Sequence, residues 1–236
     1  MVFPSRNPNA EPPKDVYKRS CAMIAEAFEP DGYRYFRSGP YFSKKTEDLI
    51  FSIWFQANRH NRAGESVEIW VHASVSSRSI KKWRELNTTL VPNSDAVAGG
   101  QIGNLNKPYS WMRWDVVDPS TRSKVVADAV DTIRRLAIPF FAAFENPSQM
   151  VARLQNDPDV LWMWPPQVFD YLAYHGGSEA VRNAVSQFLA QNPEFEELFE
   201  LTIKNFRKED LPKVCTVGKY VDTLAAAIVA YTPGVI

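Results

Sequence analysis

Apolar residues recur at every second position over residues 49–55 and again over residues 67–75. Successive side chains of a β-strand point to opposite faces, so each run predicts a strand with one apolar face. The polar segment 59–64 between the runs predicts a turn, and the two strands should therefore form an antiparallel hairpin. The apolar face of this hairpin should rest on helices.

The second face of the hairpin carries Trp54, Trp70 and His72, because the same alternation places all three on one side. Two interpretations stay open. We favour a face covered by the helical remainder of the chain, because two tryptophans rarely stand fully exposed on a monomer; the alternative is a face that binds a partner. His72 can act there as a general base or a stacking element, although a neighbouring side chain more often satisfies such a histidine.

The spacing of apolar residues and turn residues predicts the elements around this hairpin. A helix over residues 14–28 precedes a short hairpin over residues 33–44. A short helix over residues 79–86 leads into a flexible, glycine-containing loop at residues 99–103. A further strand is predicted over residues 109–117.

The remainder of the chain has a helical pattern. One helix begins near Asp118, and Pro139 ends or kinks it. From residue 147 onward every predicted element is a helix. One of these helices begins near residue 147, and the others cover residues 165–175, 178–191, 193–208 and 219–231.

Together the elements predict an α+β fold: a small antiparallel sheet with packed helices, followed by an all-helical C-terminal region. We expect three parts in the chain. They are a flexible N-terminal arm at residues 1–13, an α+β domain at residues 14–146, and a helical region packed on it at residues 147–236.

The equal numbers of acidic and basic residues argue against a nucleic acid or a membrane as the partner. The chain of 236 residues carries 27 Lys and Arg residues against 27 Asp and Glu residues, so no net field steers it toward nucleic acid or anionic lipid. No apolar run approaches the ~20 residues of a membrane span, and the proline-rich start lacks a secretory signal. We therefore expect a cytoplasmic protein that binds a protein partner and neither nucleic acid nor membrane.

The two cysteines, Cys21 and Cys215, lie far apart and have no metal-ligand spacing. We expect them to be small buried hydrophobes, with no disulfide and no metal site. The motifs of nucleophile elbows, phosphate loops and zinc proteases are missing from the sequence, and no cofactor is predicted. This excludes only the enzyme classes that carry such motifs.

Three groups of residues are candidates for chemistry or binding. Arg59, His60 and Arg62 crowd the hairpin end, where they can bind a phosphate or carboxylate, or simply be solvated. Trp162 and Trp164 stand just before a proline pair and either anchor a partner or fill the core. The glycines at residues 99–103 and the His-Gly-Gly segment at 175–177 are better explained as a flexible loop and a helix end.

Several short motifs occur in a recognisable order. They are DGY at residues 31–33, GPYF at residues 39–42, FSIWFQ at residues 51–56 and IPFF at residues 138–141. This order resembles a family of uncharacterised bacterial domains with a helix, a glycine–aromatic turn, a hairpin and a strand that ends in glutamine. The resemblance covers residues 15–145. It implies a bacterial or phage-related α/β fold and transfers no catalytic residue.

The missing catalytic motifs, the neutral charge and the aromatic anchors favour a protein-binding accessory protein, such as a bacterial immunity protein that neutralises a toxin. The alternative is a motif-poor enzyme, such as a hydrolase or nucleotide-processing protein, that uses His60 or His72. A binder should show an exposed aromatic patch, whereas an enzyme should gather histidine, acidic and basic groups in one concave pocket.

Overall fold

The computed structural model describes residues 10–158, 160–206 and 220–232. The chain divides into two compact units. The first comprises Met1–Val75 and Gly99–Phe141, and the second comprises Ser76–Ala98 and Ala142–Ile236. Most of the expected N-terminal arm, and Cys215, lie outside the described residues.

The sheet has six strands within the described part of the chain. They are β1 (Arg34–Phe36), β2 (Tyr41–Lys45), β3 (Leu49–Ala57), β4 (Glu68–Ser77), β5 (Ala96–Gln101) and β6 (Trp114–Asp115). The order is β1-β2-β3-β4-β5, with β6 also paired to β4, and the pairing is antiparallel. This confirms the predicted hairpin of β3 and β4 and the predicted α+β class.

The helices are α1 (Pro13–Glu26), α2 (Arg78–Leu86), α3 (Arg122–Phe144), α4 (Pro147–Asn156), α5 (Pro165–Gln191), α6 (Glu196–Asn205) and α7 (Tyr220–Tyr231). The all-helical C-terminal region is therefore confirmed. Gly177 has a positive φ of 68° and kinks α5, as the predicted helix end there requires. Among the helices that the structure describes, none is long and apolar enough to cross a bilayer.

The inner face of the sheet forms the core of the first unit. Ile53 and Ile69 are fully buried on it, as the alternation predicts. Phe51 stacks on Phe141 of α3 with ring centroids 5.0 Å apart, and Phe42 stacks on Phe28 just after α1 at 4.9 Å. These contacts place α3 and the residues just after α1 against the inner side of the sheet, and the opposite side carries the site described below.

Two predictions of local structure are wrong, and one is wrong in one of its two alternatives. The glycine-containing segment at 99–103 begins as strand β5, because Gly99 lacks the Cβ that would lie 2.8 Å from the Ala73 carbonyl oxygen of β4. The predicted strand over 109–117 is reduced to the two residues of β6. Pro139 does not end its helix, because α3 continues to Phe144, where the buried Phe140, Phe141 and Phe144 offset the hydrogen bond that proline removes. The alternative, a kink at Pro139, stays a prediction.

Candidate functional site

The outer side of the sheet in the first unit carries a cluster of four aromatic rings. Trp54 lies on β3, Trp70 and His72 lie on β4, and Trp111 lies in the irregular segment before β6. We call Trp54, Trp70, His72 and Trp111 the aromatic face. Trp54 is 39% exposed and Trp111 is 56% exposed, so the expectation of a fully covered face is wrong.

The rings of the aromatic face contact one another in two geometries. The indole of Trp54 stacks on the imidazole of His72, with centroids 3.9 Å apart and planes inclined by 8°. The indole of Trp111 meets Trp70 edge to face at 5.2 Å and meets His72 in the same way at 6.3 Å. The prediction that Trp54, Trp70 and His72 share one side of the sheet is therefore confirmed, and Trp111 joins them.

The row of aromatic rings continues across the neighbouring strands. Tyr41 of β2 lies directly opposite Trp54, and Phe36 of β1 lies directly opposite Tyr41. Directly opposed residues of antiparallel strands share one side of the sheet. The rings of Phe36 and Tyr41 stack at 4.6 Å, and the guanidinium of Arg34 lies over Phe36 at 5.4 Å. Aromatic side chains thus cross four strands on this side.

Backbone contacts fix the position of Trp111. The side-chain amide of Gln101 donates to the carbonyl of Met112 at 2.6 Å, and its oxygen accepts from the Gly103 N–H at 2.8 Å. The Ser110 N–H donates to the Gly103 carbonyl at 3.1 Å. Gly103 is required, because a Cβ there would overlap the Ser110 carbonyl oxygen. The chain is therefore held on both sides of Trp111.

Two buried polar atoms of the aromatic face have no hydrogen-bond partner among the described residues. They are the Trp70 Nε1 and the His72 Nε2. Leaving such a buried atom unsatisfied costs about 1–3 kcal/mol. Burial lowers the pKa of His72 from its ordinary value, so the imidazole is neutral near pH 7. A neutral Nε2 can donate or accept according to its tautomer, whereas the indole nitrogen can only donate.

An acidic and a basic group beside the aromatic face are paired with each other. Glu68, also on β4, accepts a hydrogen bond from the Asn58 side chain at 2.7 Å and pairs with Arg113 at 3.1 Å. No group of histidine, cysteine and acidic residues able to hold a metal ion occurs in the part of the chain that the structure describes. The surroundings of His72 are thus aromatic, and its ring is held by stacking.

The polar hairpin end is exposed and makes local contacts. The Nε of Arg59 donates to His60 Nε2 at 3.0 Å, and Arg62 pairs with Glu65 at 3.4 Å. All three predicted residues are solvent-exposed on the turn between β3 and β4. The structure brings Arg59 and His60 together but pairs Arg62 within its own turn.

The two tryptophans before α5, in the second unit, differ sharply in exposure. Trp162 is 1% exposed, packs edge to face on Phe144 and lies under the guanidinium of Arg153 at 5.0 Å. It belongs to the core, so it is not a surface anchor. Trp164 is 45% exposed and directly precedes α5.

A buried ion pair in the second unit was missed by the sequence analysis. Arg84 donates from Nε to the carboxylate of Asp170 at 2.6 Å, and its Nη1 donates to two backbone carbonyls. Asp170 also accepts from the N–H groups of Leu90 and Val91 and from the hydroxyl of Tyr231. Every contact is internal, so the network holds the α2–β5 segment to α5 and α7.

The comparisons with known proteins identify a family and nothing beyond it. A family model described as a domain of unknown function, DUF4304, matches residues 24–143, which is about half of the chain. The search of curated proteins and the search of solved structures found no match. The matched residues include all four members of the aromatic face, and they confirm the resemblance to an uncharacterised domain family.

Proposed function

The chain belongs to the DUF4304 family of unknown function, and we propose that it is an accessory protein that binds a protein partner through the aromatic face. The observation that carries the proposal is the exposure of two indoles, those of Trp54 and Trp111, which both contact His72, whose buried Nε2 has no partner among the described residues. Tryptophan is enriched among the residues that dominate binding energy at protein interfaces.

The charges support a polypeptide partner over a nucleic acid or a lipid surface. The chain is formally neutral, and Glu68 next to the aromatic face pairs with Arg113. Binding to phosphates gains most of its free energy from many Lys and Arg contacts, whereas the four side chains of the aromatic face are uncharged. An apolar surface with a few unsatisfied hydrogen-bonding groups instead complements a protein surface.

As the finer form of this proposal, the partner is a toxin, which the protein neutralises in the bacterial cytoplasm as an immunity protein. The missing catalytic motifs and the neutral charge support this role. A motif-poor enzyme is the second candidate, favoured by the unpartnered Nε2 of the neutral His72, which has the protonation state of a general base. If the protein is such an enzyme, substitution of His72 should lower its activity more than substitution of either exposed indole.

The test is quantitative capture from the native cells with the tagged parent, Trp54→Ala and Trp111→Ala. Trp164→Ala is the matched control, because it removes an equally exposed indole from the second unit. A protein retained by the parent and the control and lost by both face variants supports the proposal, once purified and shown to bind directly. Equal retention by all four forms contradicts it, and self-association lost in the face variants assigns the face to a second copy.

A further inference from the structure

We propose that the Trp70 Nε1–H and the His72 Nε2 form a recognition site for a hydrogen-bond acceptor oxygen of the bound partner, and that Trp111 rotates to uncover it. This rests on the proposed function and specifies its chemistry. The partner group is a carbonyl or carboxylate oxygen next to an apolar or aromatic side chain.

The Trp70 Nε1 and the His72 Nε2 are both buried. Both atoms are shielded from water, and His72 as a whole is only 8% exposed. A folded chain tolerates few buried donors without acceptors, and those that persist call for a specific explanation. The edge-to-face contact of Trp70 with Trp111 offers at most a ring face, which is a far weaker acceptor than an oxygen.

Trp111 lies against the two rings that carry these nitrogens. Trp111 contacts both Trp70 and His72 through edge-to-face geometry, yet more than half of its own surface is exposed. Its flanking residues are held in place, because the Ser110 N–H donates to the Gly103 carbonyl and the Met112 carbonyl accepts from the Gln101 side chain. Rotation about the side-chain torsions of Trp111 therefore opens the site without moving the chain around it.

The uncovered site presents hydrogen-bond donors. Trp70 can only donate, and the neutral His72 can donate from Nε2 in one of its tautomers. Because residues two apart on a strand point to the same side of the sheet, the two donors can both bind one oxygen, which has two lone pairs. Trp54, stacked on His72, supplies an apolar surface for the group that carries the oxygen.

The test uses three small probes with the same phenyl ring: phenylacetamide, phenylacetate and phenethylamine. Only the first two carry an acceptor oxygen, and they separate a carbonyl source from a carboxylate source. The reporter is the indole N–H signal of Trp70 in a proton–nitrogen correlation spectrum, assigned with Trp70→Phe. We expect an acceptor probe to shift this signal downfield and phenethylamine to leave it in place. In Trp111→Ala, the same downfield shift should occur at a lower concentration of the acceptor probe.

The variant His72→Phe keeps a flat ring against Trp54 and removes the nitrogen. This variant should bind the acceptor probe about 3- to 10-fold more weakly, which corresponds to the loss of one ordinary hydrogen bond. Its melting temperature should stay at or above that of the parent. Equal shifts with all three probes overturn the proposal, as does no shift in either the parent or Trp111→Ala. If the captured protein needs Trp54 and Trp111 but binds Trp70→Phe and His72→Phe normally, the face binds a partner and this site is refuted.

Discussion

The buried ion pair of the second unit gives a prediction with a calculable size. Arg84→Met removes the guanidinium but keeps most of the side-chain volume, and three hydrogen bonds disappear with it, one to Asp170 and two to backbone carbonyls. Asp170 is fully buried, so its carboxylate loses its counter-charge in a position shielded from solvent. Removing one partner of a buried pair costs about 3–5 kcal/mol. We expect the free energy of unfolding to fall by that amount.

The assay is urea unfolding followed by circular dichroism. Lys82→Met is the matched control, because it removes an exposed cation from the same helix α2 and should change stability by less than about 0.5 kcal/mol. The double variant Arg84→Met/Asp170→Leu leaves no isolated charge, so it should lose much less than the sum of the two single variants. Equal losses for Arg84→Met and Lys82→Met, or additive losses in the double variant, would refute the reasoning.

Three further predictions concern the first unit. Gly103→Ala should destabilise the fold by about 1–3 kcal/mol, because its Cβ overlaps a facing carbonyl oxygen, whereas Gly39→Ala, with open space around it, should be nearly neutral in the same thermal melt. The lowered pKa of His72 means that the unfolded chain takes up a proton more readily, so stability should fall as the pH drops below about 6.5. The urea unfolding midpoint should depend less on pH in His72→Phe than in the parent. The same pH dependence in both proteins would contradict this role of His72. Ile53→Asp should abolish soluble protein while Gln56→Asp on the exposed side does not, and parent-like melting of Ile53→Asp would disprove the strand's orientation.

The part of the site that lies on regular strands was predictable from the sequence. Strand alternation depends only on local geometry, so it placed Trp54, Trp70 and His72 on one side of the sheet before any contact was known. The same alternation located the buried residues of β3 and β4. It could not decide whether the aromatic side was covered, since burial depends on segments distant in sequence.

The position of Trp111 was not predictable from periodicity. It depends on Gln101 and Gly103, which bind the backbone on either side of it through contacts that follow no repeat. The same holds for Asp170, which lies inside an otherwise apolar helical segment and finds its partners on α2 and α7. An acidic residue in such a segment was the one available signal, since a buried carboxylate requires a partner.

The central claim is that the exposed indoles of the aromatic face bind a protein partner. The most direct measurement is calorimetric titration of the purified captured protein against the parent, Trp54→Ala and Trp164→Ala, with circular dichroism to verify that each variant is folded. The account predicts that Trp54→Ala weakens the Kd about 30-fold or more, which corresponds to the ~2 kcal/mol of a dominant interface residue, while Trp164→Ala binds like the parent. Parent-like affinity of Trp54→Ala, or a loss confined to Trp164→Ala, would contradict it.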